Sequence, residues 1–246
     1  MCRVCRPGDG CQTRGMSDAV DVLDVQVWAD LVCPWRYIAE RRLAEAVAGF
    51  AGPVAVRHRA YELDPGMPSG ERVPVAEYLG RKYGGGLAAG LAMTSQVAAV
   101  AAEDGLVLDF SRAVKSSTFD AHRLLALAAA EGAGTGSGGG ARGGGGSLAG
   151  ELREAMYAAH FQQGLALDDH AVLVDLATGV GLSPNRIGEV LASDEFAAEV
   201  RADEAEARSI GVTGVPFTVA GGRLAVSGAQ PVDVFTALLT QAADSR

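Results

Sequence analysis

The chain has 246 residues, 48% of them apolar and 21% charged, which is enough to bury a core in one large domain or a domain with an insertion and rules out a disulfide-stapled miniprotein. Lys and Arg number 21 against 30 Asp and Glu, a formal charge of −9, so the broad positive field that a nucleic acid or an anionic membrane surface requires is missing. No run reaches the roughly 18 apolar residues of a membrane span, and charged residues interrupt the first thirty, so neither a span nor a signal peptide is expected.

Residues 1–15 carry Cys2, Cys5 and Cys11 among Gly and Arg with no periodicity of either kind, the pattern of a tail, and Met16-Ser17-Asp18 offers an alternative start. Three thiolates fall one ligand short of a tetrahedral structural zinc site, so no metal is expected. The fourth and last cysteine is Cys33. No disulfide framework staples the body of the fold, which fits a reducing cytoplasm.

Residues 22–29 alternate apolar and polar, the period of a half-buried strand. Pro34 then stands where a helix can begin without losing a needed hydrogen bond, and Tyr37, Ile38, Leu43 and Val47 recur at helical spacing, so Cys33 falls on a strand-to-helix turn. A second strand spans residues 54–63 and closes on Asp64-Pro65-Gly66. This unit is βαβ, with parallel strands and a right-handed crossover. Residues 75–131 and 148–191, rich in Ala, Leu, Glu and Arg, predict several packed helices, and the Gly-rich stretch 132–150 between them predicts a flexible loop. A helix over 194–210 leads to Gly214-Val215-Pro216 and a strand over 217–220. A Gly221-Gly222 turn, a strand over 223–227 and a terminal helix opened by Pro231 complete the chain.

A βαβ start and an αββα end separated by helices give an α/β, thioredoxin-like fold with an inserted all-helical domain. The tail is residues 1–20, the discontinuous thioredoxin-like domain 21–66 and 192–246, and the insertion 67–191.

Six strings in order carry a family resemblance: Asp30-Leu31-Val32-Cys33-Pro34-Trp35, Tyr61-Glu62-Leu63-Asp64-Pro65, Lys82-Tyr83-Gly84, Thr118 to Leu124, Gly211 to Phe217, and Ser227-Gly228-Ala229-Gln230. On these the chain resembles the DsbA-like family, and within it the FrnE-type oxidoreductases, from about residue 23 to 239. That family usually has Cys-Pro-Trp-Cys where this chain ends in Arg36. Arginine cannot attack a mixed disulfide, so an intramolecular dithiol cycle at this site is excluded.

The resemblance implies a monothiol oxidoreductase acting on a thiol or disulfide substrate, small molecule or protein, with no bound cofactor. Cys33 is expected to be the nucleophile, its thiolate favoured by the helix N-terminus and by Arg36. The competing reading is an inert thiol on a scaffold that only binds. Pro34 and Trp35 flank the sulfur, and Trp35 and Tyr37 are expected to wall the cleft. Gly214, Val215 and Pro216 are the substrate rest: the matching proline in thioredoxin-like proteins is cis and lies against the cysteine, with Gly214 allowing close approach. His122 is either a partner in a structural hydrogen-bond network or, with Arg123, a cleft residue opposite Cys33. His58, Glu62 and Asp64 read as surface or turn residues.

Resolution of the mixed disulfide falls to an external thiol, glutathione or mycothiol, or to a tail cysteine. No nucleic acid or membrane partner is expected, and a homodimer is compatible. Two further readings remain open: a thiol-dependent transferase or isomerase, since kappa-class glutathione transferases and 2-hydroxychromene-2-carboxylate isomerases are similar in layout, and a non-catalytic binding module.

Overall fold

The computed structural model describes residues 22–134 and 146–245. The tail with its three cysteines, the zinc reading attached to them and most of the Gly-rich stretch therefore lie outside the described residues.

Strand β1 (Leu23–Ala29) keeps the expected alternation, turning Leu23, Val25 and Val27 into one core and Trp28 to the other face. It pairs in parallel with β2 (Val54–Ala60), from Leu23 opposite Val54 to Ala29 opposite Ala60. The crossover between them is α1 (Pro34–Gly49). Antiparallel to β1 lies β5 (Phe217–Ala220), followed by β6 (Leu224–Ser227), giving the order β2-β1-β5-β6. The sheet is thus closed by strands far apart in sequence, as the pattern predicted. Ala39, Leu43, Ala46 and Val47 of α1 and Phe235, Leu238, Leu239 and Ala242 of α9 (Val232–Asp244) bury one face of it. Against the other face packs α8 (Ala197–Ser209), where the Trp28 indole N–H, buried and in need of an acceptor, donates to the Asp203 carbonyl at 3.0 Å.

The helical block comprises α2 (Val75–Tyr83), α3 (Gly86–Glu103), α4 (Phe119–Gly134), α5 (Leu148–Gln163), α6 (His170–Gly179) and α7 (Pro184–Leu191). Its core is continuous with the strand-to-helix turn, because Leu31, Tyr37 and Ile38 pack with Leu124, Leu152, Met156, Tyr157 and Phe161. A close crossing of α2 and α3 needs glycine: a Cβ on Gly90 would lie 1.8 Å from the Ala76 carbonyl oxygen. Among the described residues no single helix is long and apolar enough to cross a membrane.

Two local expectations change. The second strand ends at Ala60 rather than at residue 63, because the next backbone N–H groups turn to side-chain acceptors: Leu63 N–H donates to Asp30 Oδ2 at 2.7 Å and Glu62 N–H to Glu204 Oε1 at 3.4 Å. Just before the stretch read as helical, β3 (Val73–Pro74) pairs with β4 (Val114–Lys115) inside it, a two-residue antiparallel ladder too short to leave a periodic signal.

Candidate active site

Cys33 is the N-cap of α1, with extended backbone angles, and Pro34 fills the first turn, where its missing N–H is no loss. The Cys33 amide donates to the Asp30 carbonyl at 3.2 Å and the Arg36 amide to the Cys33 carbonyl at 3.0 Å, which fixes the turn. Its thiol then reaches the far half of the chain, donating to the Val215 carbonyl at 3.6 Å. Val215–Pro216 is a cis peptide, and the Pro216 carbonyl accepts from the Gly228 amide at 2.8 Å, so the 227–230 turn stands beside it. Trp35 is half-buried against the helical core. Gly214 has open space where a Cβ would be, so packing within the chain does not demand glycine there.

Cys33 is 4% exposed, and this corrects the expectation of a stabilised thiolate. Burial pushes the Cys33 thiol up to about 11. The Arg36 and Trp35 amides at the helix N-terminus pull the other way, the Asp30 carboxylate reinforces burial, and the charge of Arg36 comes last. A helix N-terminus favours an anion only against the cost of taking that anion out of water, and here the cost prevails.

Arg36 is the reason its own influence is small. Its side chain is 3% exposed and turned into the interface of α1 and α5. There Nε donates to the Tyr157 hydroxyl at 2.9 Å, Nη2 meets His58 Nδ1 at 2.5 Å, and Glu40 lies 3.4 Å from Nε. Glu40 is one turn along α1, and Arg153 and Tyr157 are one turn apart on α5, so two four-residue spacings face each other. Arg153 donates to Glu40 Oε1 at 2.9 and 2.7 Å. Burial works to raise the Glu40 carboxyl, but the Arg153 and Arg36 guanidiniums outweigh it and hold that carboxyl far below the ordinary range. A guanidinium only donates, so His58 Nδ1 is an acceptor and its proton is on Nε2. Burial, and then the charges of Arg153 and Arg36, keep the ring neutral. His58 is therefore no surface residue, and Glu62, buried and ion-paired to Arg201 at 2.7 Å, is not one either.

Asp30, which the sequence names only within the 30–35 string, has a structural part of its own. It is 1% exposed at the end of β1 and accepts from Leu63 N–H at 2.7 Å and from the Thr118 hydroxyl at 2.8 Å, which joins β1, the segment after β2 and the start of α4. Burial tends to raise its pKa, but His122 above all, with Lys115 and the Leu63 amide, keeps it lowered and charged. His122 is buried with Nε2 at 3.9 Å from Asp30 Oδ1, beyond hydrogen-bonding distance, and that nitrogen has no hydrogen-bond partner. Arg123, which one of the two readings of His122 sets in the cleft, is buried and donates to the carbonyls of Val190, Ser193 and Glu195, holding the region around α7. Tyr37 is likewise core, stacked on Tyr157 at 4.6 Å between ring centroids rather than walling a cleft. Among the described residues no group of three or more His, Cys, Asp or Glu is placed to hold a metal.

The site therefore brings the Val215 carbonyl, just before the cis proline, to a buried thiol in the strand-to-helix turn that also holds a charged aspartate. The signal that would have found Asp30 and His58 is their place near the ends of adjacent parallel strands, in register through Val27 and His58.

A family model, the DSBA-like thioredoxin domain, matches residues 24–240. The structure of a probable DsbA oxidoreductase from Streptomyces coelicolor is similar, with 38% identity, 91% of each chain covered and a TM-score of 0.82. At 16% identity, a 2-hydroxychromene-2-carboxylate isomerase shares the fold (TM-score 0.62; 91% of this chain and 99% of that one), as does the cytosolic disulfide reductase DsbM from Pseudomonas aeruginosa at 19% (TM-score 0.56; 91% and 100%), solved also with GSH. No curated protein matched the chain.

Proposed function

We propose, for a chain that belongs to the DSBA-like thioredoxin family, a monothiol thiol-disulfide oxidoreductase that forms mixed disulfides at Cys33 and depends on an external thiol to release them. The observation that carries this reading is the Cys33 sulfur 3.6 Å from the Val215 carbonyl, beside the cis Val215–Pro216 bond, while position 36 holds an arginine turned away from it. An extended thiol or disulfide substrate laid along the 214–216 segment would present its sulfur there.

The exchange balances without an oxidant. The Cys33 thiolate attacks one sulfur of a disulfide, the new S–S bond forms as the old one breaks, and the departing thiolate takes up a proton. A low-molecular-weight thiol, glutathione or mycothiol, then attacks the mixed disulfide and returns Cys33 as thiolate, leaving a second mixed disulfide in solution. A reducing cytoplasm would supply that thiol.

The ionisation state sets the tempo. A thiol held up to about 11 is a small fraction thiolate at neutral pH, so attack is slow, and a sulfur of high pKa is a poor leaving group, so the adduct is long-lived. The protein is therefore a slow exchanger that holds its adduct. Incubation with glutathione disulfide should give a single glutathione adduct on Cys33 by mass spectrometry, released by added glutathione. An unmodified Cys33 after prolonged incubation at pH 9 would rule the reading out.

A second reading rests on the same protonated sulfur. A neutral thiol that donates a hydrogen bond, as Cys33 does to Val215, can equally hold a bound thiol cofactor in a transferase or isomerase. Full activity of Cys33→Ser on a glutathione-conjugated substrate would favour it.

A further inference from the structure

Beside the Arg36 cluster, and not lined by Cys33, is a cavity of about 870 Å³ between β2, α4, α5 and α8. Its volume falls within the ~300–1,000 Å³ range of small-molecule sites. One wall is apolar, with Val56 from β2, Leu125, Ala126 and Ala129 from α4, and Leu148 and Ala149 from the start of α5. The buried end is made by Arg36, His58 and Tyr157, with Arg153, which is paired to Glu40, beside them.

That end is a cradle of donors. Arg36 is a buried cation whose carboxylate neighbour among the described residues, Glu40, is outside the lining and already receives Arg153 through both its oxygens. His58 gives its Nδ1 to Arg36 and keeps Nε2–H as a donor. Tyr157 accepts from Arg36 Nε and so has its own O–H to give. Of the carboxylates on the lining, Asp203 is committed to Arg59 at 2.9 Å and to the Ala60 amide. Glu131 and Glu199 come from the last turn of α4 and the first turn of α8. A cation with two neutral donors, set at the end of an apolar wall, matches one ligand chemistry: an anionic head that accepts hydrogen bonds, on an apolar body.

We propose that this cavity is a binding site for a small organic monocarboxylate, its carboxylate on Arg36, His58 and Tyr157 and its apolar body along α4 and the start of α5. A carboxylate suits the cradle better than a phosphate dianion, since its two oxygens match one guanidinium edge and a neighbouring donor. The site makes no use of the Cys33 sulfur and stands apart from the exchange chemistry. The arginine that replaces a second thiol in the active-site turn gains a role of its own.

The test is calorimetric titration of the full chain with decanoate, using decanol as the uncharged control. Expected are one decanoate per chain and an affinity at least about tenfold above that for decanol, the discrimination worth about one charge-assisted hydrogen bond. Arg36→Gln should bring the two ligands to within about twofold, and Ala126→Phe, which fills the apolar wall without touching the cradle, should weaken decanoate by about tenfold or more. Cys33→Ser should bind decanoate like the parent, which separates this site from the oxidoreductase reading. Absent saturable decanoate binding, equal affinity for decanol, or discrimination that survives Arg36→Gln overturns the proposal. If Arg36→Gln does not fold, decanoate binding that survives Ala126→Phe overturns it instead.

Discussion

The thiol of Cys33 donates to the carbonyl of Val215, 182 residues further along the chain, at 3.6 Å. This one contact closes the strand-to-helix turn of the first βαβ unit onto the cis-proline turn before β5. It also shields the sulfur, and shielding is what decides its ionisation.

Alkylation of Cys33 by iodoacetamide should therefore accelerate about tenfold per pH unit from pH 7 to pH 10, with no plateau near neutrality, because the thiolate is the reacting form and its pKa is up at about 11. A rate that levels off near pH 7 would show a stabilised thiolate and contradict the burial argument.

The same group links stability to pH. Its folded pKa lies above the unfolded value of about 8.5, so the folded state is favoured below that pH and loses stability as pH rises through about 11. At about 1.4 kcal/mol per unit the loss is roughly 3 kcal/mol. Urea unfolding of the parent and of Cys33→Ala at pH 8 and pH 10.5 measures it, and the variant should lack that part of the decline.

Asp30→Asn should make Cys33 more reactive, since the aspartate charge is one of the influences raising the thiol. Removing it is expected to speed alkylation at pH 8 by roughly three- to tenfold. The Leu63 and Thr118 donors keep only a neutral acceptor, so the variant should also unfold at about 1–3 kcal/mol lower stability. Slower alkylation in a folded variant would count against this electrostatic account.

Arg36→Cys should restore a dithiol. Under oxidising conditions the introduced thiol and Cys33 are expected to lose two hydrogens as a disulfide, and insulin reduction should appear. The lost hydrogen bonds to Tyr157 and His58 should cost about 1–3 kcal/mol of stability. A folded variant with neither disulfide nor reductase activity would weaken the oxidoreductase assignment.

Glu40→Gln should be more damaging than its half-covered place on α1 suggests. The carboxylate serves two buried guanidiniums, Arg36 and Arg153, and its loss should cost about 3–5 kcal/mol. Because the folded pKa is depressed, the stabilisation is present above about pH 4.3 and is lost as pH falls. Thermal unfolding from pH 7 down to pH 3 should accordingly show a flatter acid limb in the variant.

Much of this protein is written in local sequence. The alternation over residues 22–29, the proline after Cys33 and the helical spacing beyond it place the cysteine at a helix N-terminus, because strand period and helix capping involve only neighbours in the chain. The parallel pairing of β1 with β2 follows from chain order and the handedness of the crossover, whereas the antiparallel pairing of β1 with β5 joins segments far apart in the chain. What the cysteine does there is another matter. Whether its sulfur is charged depends on how completely Val215, Asp30 and the surrounding core exclude water. Whether Arg36 serves it or serves a cavity depends on Tyr157 and His58, which meet Arg36 from a helix 121 residues away and from the adjacent strand. Charge in a protein is set by desolvation and by neighbours in space, and neither is a property of any short stretch of sequence, so only the tertiary structure could decide them.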